Sequence, residues 1–306
     1  MISNLTPSSE AFMASIDRIQ RSVTEATQQT ASGKRVNVAS DDPNDLSTIL
    51  QLSTDEVRNS QIEANLGVAQ SDADAADSAL SSATQLMDRA TTLATQGANF
   101  TMDATGRQSI AGEVQSLLEQ MTAISNTTVQ GRYIFGGDAD STPPYAVDLT
   151  QPNGVDRLTS STATRQVESA AGGSFAVSQN AQDIFDSRNS DDTLASDNVF
   201  AALNNLRLGL LANDPTKIAA AATSVQLASD HLNASQAFYG TVENRITDAT
   251  NYSSNYDVQL KTELSQKEDA DITTDALEIT QGNTQLQAAF QMQAKMPHTT
   301  LFDFMG

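Results

Sequence analysis

Apolar side chains recur along this chain at alternating spacings of four and three, the pattern of helices that each bury one stripe. Near the start the stripe is Phe12, Ile16, Ile19, Val23 and Ala26; near the end it is Ile272, Ala276, Ile279, Asn283, Leu286 and Phe290. Two longer stripes lie between them. One runs through Ile62, Leu66, Ala69, Ala73, Ala76, Leu80, Ala83, Met87, Ala90 and Ala94, a helix of roughly 50 Å by its rise per residue. The other begins at Ile218, Ala221, Val225 and Ala228 and keeps its phase as far as Tyr256 and Leu260. Ile110, Val114, Leu117, Met121 and Ile124 predict a helix folding back on the first long one, and Val199, Leu203, Leu206 and Leu210 a shorter one. The many alanines let such helices approach closely.

Turn chemistry separates these stripes. Gly33 predicts a helix C-cap, and Asp42 followed by Pro43 an N-cap and first helical residue. Gly240 predicts a kink or a close contact within its helix. Between about 131 and 190 the pattern changes to short segments, RQVES and SFAVS among them, punctuated by GRYIFGG, STPPY, QPNG and AAGGS. The fold expected is mainly α: a long antiparallel helical bundle whose N- and C-terminal helices pair as a coiled coil, with an inserted β-rich outer domain. The expected domains are a terminal coiled coil from 1–40 and 265–306, an inner helical bundle from 41–130 and 191–264, and the β-rich outer domain at 131–190.

Composition sharpens that picture. The 306 residues include 39% apolar side chains but only 5% aromatic and no Trp, which suits slender helix pairs. A net charge of -21 repels phosphate backbones and anionic membranes, and no basic patch offsets it, so neither nucleic acid nor membrane insertion is expected. Cys is absent, which removes disulfides and thiolate chemistry. The N-terminus has no basic leader and apolar h-region, so a secreted form is expected to leave without a cleaved signal peptide.

Candidate chemistry is sparse. His231 and His298 stand far apart without zinc-ligand spacing. Asp72, Asp74 and Asp77 lack the Gly and distant Glu of a calcium loop and read as a solvated helix face. Glu268, Asp269 and Asp271 sit where a helix start favours acids, so capping is a better account than acid-base catalysis. Gly136-Gly137 and Gly172-Gly173 lack a phosphate-loop Lys and read as turns. The expectation is a protein that is not an enzyme, has no cofactor, and works through surfaces. The candidate assembly interface is Phe12, Ile16, Ile19 and Val23 near the start, Ile272, Ile279, Asn283, Leu286 and Phe290 near the end, and Leu301, Phe302 and Phe304 in the tail. Asn283 within its stripe would set register.

Three stretches resemble the flagellin superfamily of bacterial axial proteins. They are SGKRVNVASDDP, here Ser32, Gly33, Lys34 and Arg35 through Asp41, Asp42 and Pro43; RATTLATQGAN, with Arg89, Leu93, Gln96 and Asn99, followed by Glu113; and EDADITTDALEIT at 268–280. Within that superfamily GRYIFGG and the terminus TTLFDFMG resemble the hook-filament junction branch more than filament flagellins. The resemblance implies a secreted structural adaptor at the junction of hook and filament in the bacterial flagellum. Its implied partners are neighbouring copies of itself, the adjacent hook-associated protein, flagellin and a flagellar export chaperone. By the same resemblance Arg89, Leu93 and Glu113 match flagellin positions read by an innate immune receptor, but in a junction protein they are expected first to serve bundle packing and a salt bridge. A filament flagellin is the alternative within the family; a secreted coiled-coil tip or adhesin protein is the alternative outside it.

Overall fold

A computed structural model of the chain describes residues 7–295. The elements in order are α1 (Pro7–Ser32), α2 (Leu46–Ala98), α3 (Ala104–Ser125), β1 (Thr128–Val129), β2 (Arg132–Tyr133), β3 (Tyr145–Val147), β4 (Val155–Arg157), β5 (Gln166–Glu168), β6 (Ser174–Ala176), α4 (Ala181–Phe185), α5 (Val199–Leu211), α6 (Pro215–Glu268) and α7 (Ile272–Lys295). The expected mainly helical architecture with a β-rich insertion is what the chain adopts. Two compact units result: a terminal unit from the chain up to Arg58 and from Asp257 onward, and a bundle unit of Asn59–Tyr256.

In the bundle unit the long stripes are buried as their spacing requires. Leu66, Ala73, Leu80, Ala83, Met87, Ala90 and Ala94 on α2 have no exposed surface, nor do Ile218, Val225, Ala228 and Leu232 on α6. Both stripes belong to one apolar core that also takes Val114, Leu118 and Met121 from α3 and Leu203, Leu206 and Leu210 from α5. Among these apolar positions sits a buried polar pair. Asn59 Nδ2 donates to the Ser253 carbonyl at 3.0 Å, and Ser253 Oγ donates to Asn59 Oδ1 at 2.7 Å. Such a reciprocal pair satisfies both groups only in one alignment of α2 and α6, the register-setting use of a seam Asn. Gly240 makes no close contact: α6 runs on through it, and a Cβ there would meet nothing within 4 Å.

The β-rich segment consists of three two-stranded antiparallel ribbons, β1 with β2, β3 with β4, and β5 with β6. The first turns through Gln130 at φ 51° and Gly131 at φ 79°, the left-handed pair a two-residue hairpin needs. Gly172 and Gly173, both at positive φ, turn the chain between β5 and β6. None of the ribbons carries an independent core. Phe135, Tyr145, Val155, Phe175, Ile184 and Phe185 join the apolar core of the helices. The aromatic rings interlock: Phe135 meets Phe185 edge-on at 5.6 Å and Tyr239 at 6.3 Å, and Phe185 stacks on Phe200 at 6.0 Å.

Burial pushes the Tyr239 hydroxyl up to about 12 and raises Tyr145 as well. In the unfolded chain both titrate near the ordinary value of about 10. The folded form therefore keeps protons that the unfolded form has lost, so this stability is complete below about pH 10 and disappears as pH rises toward the folded values. The melting temperature is expected to fall between pH 10 and 12, less steeply in Tyr239→Phe. Equal slopes for the two proteins in thermal scans would count against this assignment.

Candidate assembly surface

In the terminal unit α1 and α7 pack antiparallel. A Cβ placed on Gly282 would fall 2.3 Å from Val23 Cγ2 and 3.6 Å from Ile19 Cγ2, so the helices cross closely at this glycine. Ser22 Oγ donates to Glu278 on the same pair. On α1 the expected stripe faces the partner: Ile16 and Ala26 are buried, and Phe12, Ile19 and Val23 are half-buried. On α7 the inward stripe is Asp275, Ile279, Gly282, Leu286 and Ala289. It shares only Ile279 and Leu286 with the stripe expected from sequence and is otherwise shifted by one residue. Ile272 and Phe290 are 56% and 54% exposed, and Asn283 is exposed too, so none of the three sits in the α1–α7 seam. A buried, reciprocally bonded Asn on a helix seam is found instead at Asn59, in the bundle unit. Leu301, Phe302 and Phe304, like His298, lie outside the described residues.

The consequence is apolar surface left open. Among the described residues the terminal unit buries only Ile16, Ala26, Val36, Ile49 and Leu260 as apolar core, yet exposes Met13, Val38, Leu50, Val57, Val258, Ile272, Leu277, Phe290 and Met292. The considerably larger bundle unit exposes eight large apolar side chains. A core this small with a surface this apolar is the profile of an interaction module rather than a self-sufficient domain.

The stretch from Ser32 to Asp45 straps the two chain ends together. Gly33, at φ 72°, closes α1 by donating to the Gln29 carbonyl at 2.8 Å, and its own carbonyl accepts from Ala270 N at 3.0 Å. Arg35 N donates to the Glu268 carbonyl at 2.6 Å, and the Arg35 guanidinium reaches the Lys267 carbonyl at 2.6 Å and Asp42 at 2.9 Å. Lys34 pairs with Glu268, and Lys267 with Asp45 at 3.1 Å. The Arg35 hydrogen bond, followed by the Asp45 backbone N–H, holds the Asp42 carboxyl below its ordinary range. Helix α2 itself starts at Leu46, three residues beyond Pro43; Asp42 caps the intervening turn by accepting from Asp45 N at 3.2 Å. Asp271 does cap α7, accepting from Thr273 N at 3.0 Å and Thr274 N at 3.2 Å, and the Thr274 hydroxyl bond lowers its pKa.

Polar groups in the bundle unit are bound to one another. Asp72 is not part of a solvated face: Arg165 holds it at 2.5 Å and Arg132 at 3.4 Å, and both arginines also reach Asp140. Asp77 accepts from Gln236, and Asp74 from Gln70. Arg89 pairs with Glu113 at 2.5 Å on a half-exposed surface, a contact worth about 0–1 kcal/mol. Leu93 is buried. Arg107, buried, donates to the carbonyls of Gly97 at 2.8 Å and Asn99 at 2.9 Å. His231 Nε2 lies 2.7 Å from the Asp183 carbonyl and Nδ1 3.4 Å from Asp197, which ties α6 to α4 and to the loop ahead of α5. Among the described residues no group of three or more His, Cys, Asp or Glu is arranged to hold a metal ion, and no helix is long and apolar enough to cross a membrane.

Comparison with known proteins matches both chain ends. Residues 2–140 fit the bacterial flagellin N-terminal helical region, and residues 222–305 the bacterial flagellin C-terminal helical region. The chain belongs to the flagellin family. This flagellin-family chain is 29% identical over 185 residues to flagellar hook-associated protein 3 of Escherichia coli K12, covering 58% of this chain and 56% of that protein. For the protein of that name in Salmonella typhimurium the figures are 29% over 162 residues, 53% and 50%. The chain thus spans about half the length of the curated relatives it matches. Its fold is shared with the solved flagellar hook-associated protein 3 of Legionella pneumophila, at TM-score 0.60 and 15% identity over 71% of this chain and 98% of that one. Bacillus cereus FlgL gives 0.54 and 18% over 72% and 100%.

Proposed function

We propose that this protein is a structural axial component of the bacterial flagellum, an adaptor that joins the hook side to the flagellin filament through its terminal helix pair. The observation that carries the proposal is the concentration of exposed apolar side chains on a terminal unit with little core of its own. Likeness to proteins named flagellar hook-associated protein 3 supports the junction over the filament. Phe12, Ile16, Ile19, Val23, Ile279 and Leu286 would hold the pair together, with Ile272, Asn283 and Phe290 facing neighbouring subunits and Leu301, Phe302 and Phe304 extending that contact. The partners are further copies of this chain, an adjacent hook-associated protein and flagellin, with an export chaperone before assembly. The role is mechanical rather than catalytic, at an extracellular site. The matches to flagellin terminal regions keep filament flagellin as a second reading.

Antibody labelling of intact flagella in the electron microscope decides between them. A narrow band where hook meets filament is expected. Label along the whole filament would make the protein a flagellin, and flagella without label would overturn the axial role.

A further inference from the structure

Within the bundle unit the β5–β6 hairpin faces α6 across a cleft of about 420 Å³, bordered by Gly172, Gly173 and Phe175 from the hairpin and by Arg245, Asp248 and Tyr252 from the helix. The three α6 positions are spaced three and four apart, so they form one stripe along the cleft. Arg245 and Asp248 stand where an ion pair within the helix is the ordinary outcome, and they do not make one. The guanidinium carbon of Arg245 lies instead 4.4 Å from the centroid of the Phe175 ring, a cation–π contact that anchors the group and leaves its N–H donors open. Every other Lys and Arg side chain of the bundle unit has a hydrogen bond or an ion pair of its own. The Asp248 carboxylate is exposed and has no hydrogen bond among the described residues. Tyr252 is 47% exposed, and its ring is held in a stack with Tyr256 at 6.3 Å. Gly172 and Gly173 both have positive φ, and a Cβ on either would meet nothing within 4 Å, so the hairpin turn offers bare backbone and open room.

The cleft therefore sets one cation and one anion, neither of them committed, beside an exposed phenol ring. Their charges cancel, which selects neither a phosphate nor a metal ion. A neutral sugar ring matches each part: its C–H face is apolar and lies against an aromatic ring, and its hydroxyls both accept from a guanidinium and donate to a carboxylate. A concave site with a few convergent polar groups is the usual form of a small-ligand pocket. We propose that this cleft binds a neutral hexopyranose of a glycan chain, with Tyr252 against the C–H face, Arg245 donating to the hydroxyls and Asp248 accepting from them. This is a binding function beyond that of an axial adaptor, and it does not depend on where along the flagellum the protein stands.

Saturation-transfer NMR on the full-length protein, with the methyl glycosides of glucose, galactose, mannose and N-acetylglucosamine as probes, tests this. Transfer to the ring protons of at least one of the four is expected. Tyr252→Ala removes the stacking face, and Arg245→Met removes the donors while keeping an apolar stem over Phe175. Both positions are exposed on a helix, so the melting temperature of the bundle unit should stay nearly unchanged. Each substitution is expected to weaken binding of that sugar about tenfold or more, the loss that follows from one set of hydrogen bonds to a charged group or one stacking face. No transfer to any of the four sugars from the unsubstituted protein would overturn the proposal. Transfer that persists undiminished in either variant would overturn it too, because the sugar would then lie elsewhere.

Discussion

Replacing Gly282 with leucine is expected to separate α1 from α7 while the bundle unit stays folded. Even the first carbon of a side chain at 282 would lie 2.3 Å from Val23 Cγ2. Val23 is β-branched on a helix and has essentially one rotamer, so its methyl cannot swing clear. Overpacking of this kind costs about 1–3 kcal/mol where the surroundings can shift, and a leucine adds a ridge that helices at this spacing cannot accommodate. The terminal unit has few other buried apolar contacts to absorb the loss. Amides of both helices should lose protection in hydrogen exchange, and the variant should fail to enter flagella under the electron microscope. A rescue separates the steric account from a general intolerance at 282. Alanine at 282 favours the helix by about 1 kcal/mol over glycine, and Val23→Ala makes room for its methyl, so the double variant should regain the pair. Retained protection in Gly282→Leu would show that the close crossing is not what holds the helices.

The same glycine explains where sequence reading stopped. In α2 and α6 nearly every buried position is apolar, so an unbroken alternation of four and three marks the buried face directly. On α7 two of the inward positions are Gly282 and Asp275, which no apolar pattern can mark, while Ile272, Ala276 and Phe290 advertise the stripe next to them. The apolar face that looked like the pairing seam is the one left open. Asn59 was within reach, since it continues the α2 stripe one step before Ile62, but its partner Ser253 lies 194 residues on. The Gly33 cap was legible because capping is local, but the start of α2 was placed at Pro43 when the helix begins at Leu46 and Asp42 caps the turn before it; the strap to Glu268 was not legible, because it joins residues from opposite ends of the chain. Asp72 was misread for the same reason: its arginines come from the β-rich segment, 60 and 93 residues away.

Asp186→Ala is expected to lower the melting temperature of the bundle unit by roughly 10 °C. The carboxylate is completely buried and accepts from Arg188 Nε at 3.0 Å, the Tyr145 hydroxyl at 3.3 Å, Asn153 Nδ2 at 3.0 Å and Asn198 Nδ2 at 2.8 Å. Four donors on one acceptor-only group make a closed network. Its reach extends further, because Asn198 uses its Oδ1 to cap α5 by accepting from Ala201 N at 2.8 Å, and the carboxylate fixes which way that amide points. Truncation to alanine strands a guanidinium and two buried amides together, and removing one partner of a buried ion pair costs about 3–5 kcal/mol. For a unit of this length each kcal/mol lowers the melting temperature by about 2–4 °C. Asp186→Asn keeps the volume and loses the charge, but turns an amide N–H₂ toward groups that also donate, so it should fall between the wild type and Asp186→Ala. The order wild type, Asp186→Asn, Asp186→Ala in calorimetry is the expected result. A bundle-unit transition in Asp186→Ala within about 2 °C of wild type, well below the fall expected from that conversion, would mean that the donors find other acceptors and that the network is not what fixes the β-rich segment to the helices.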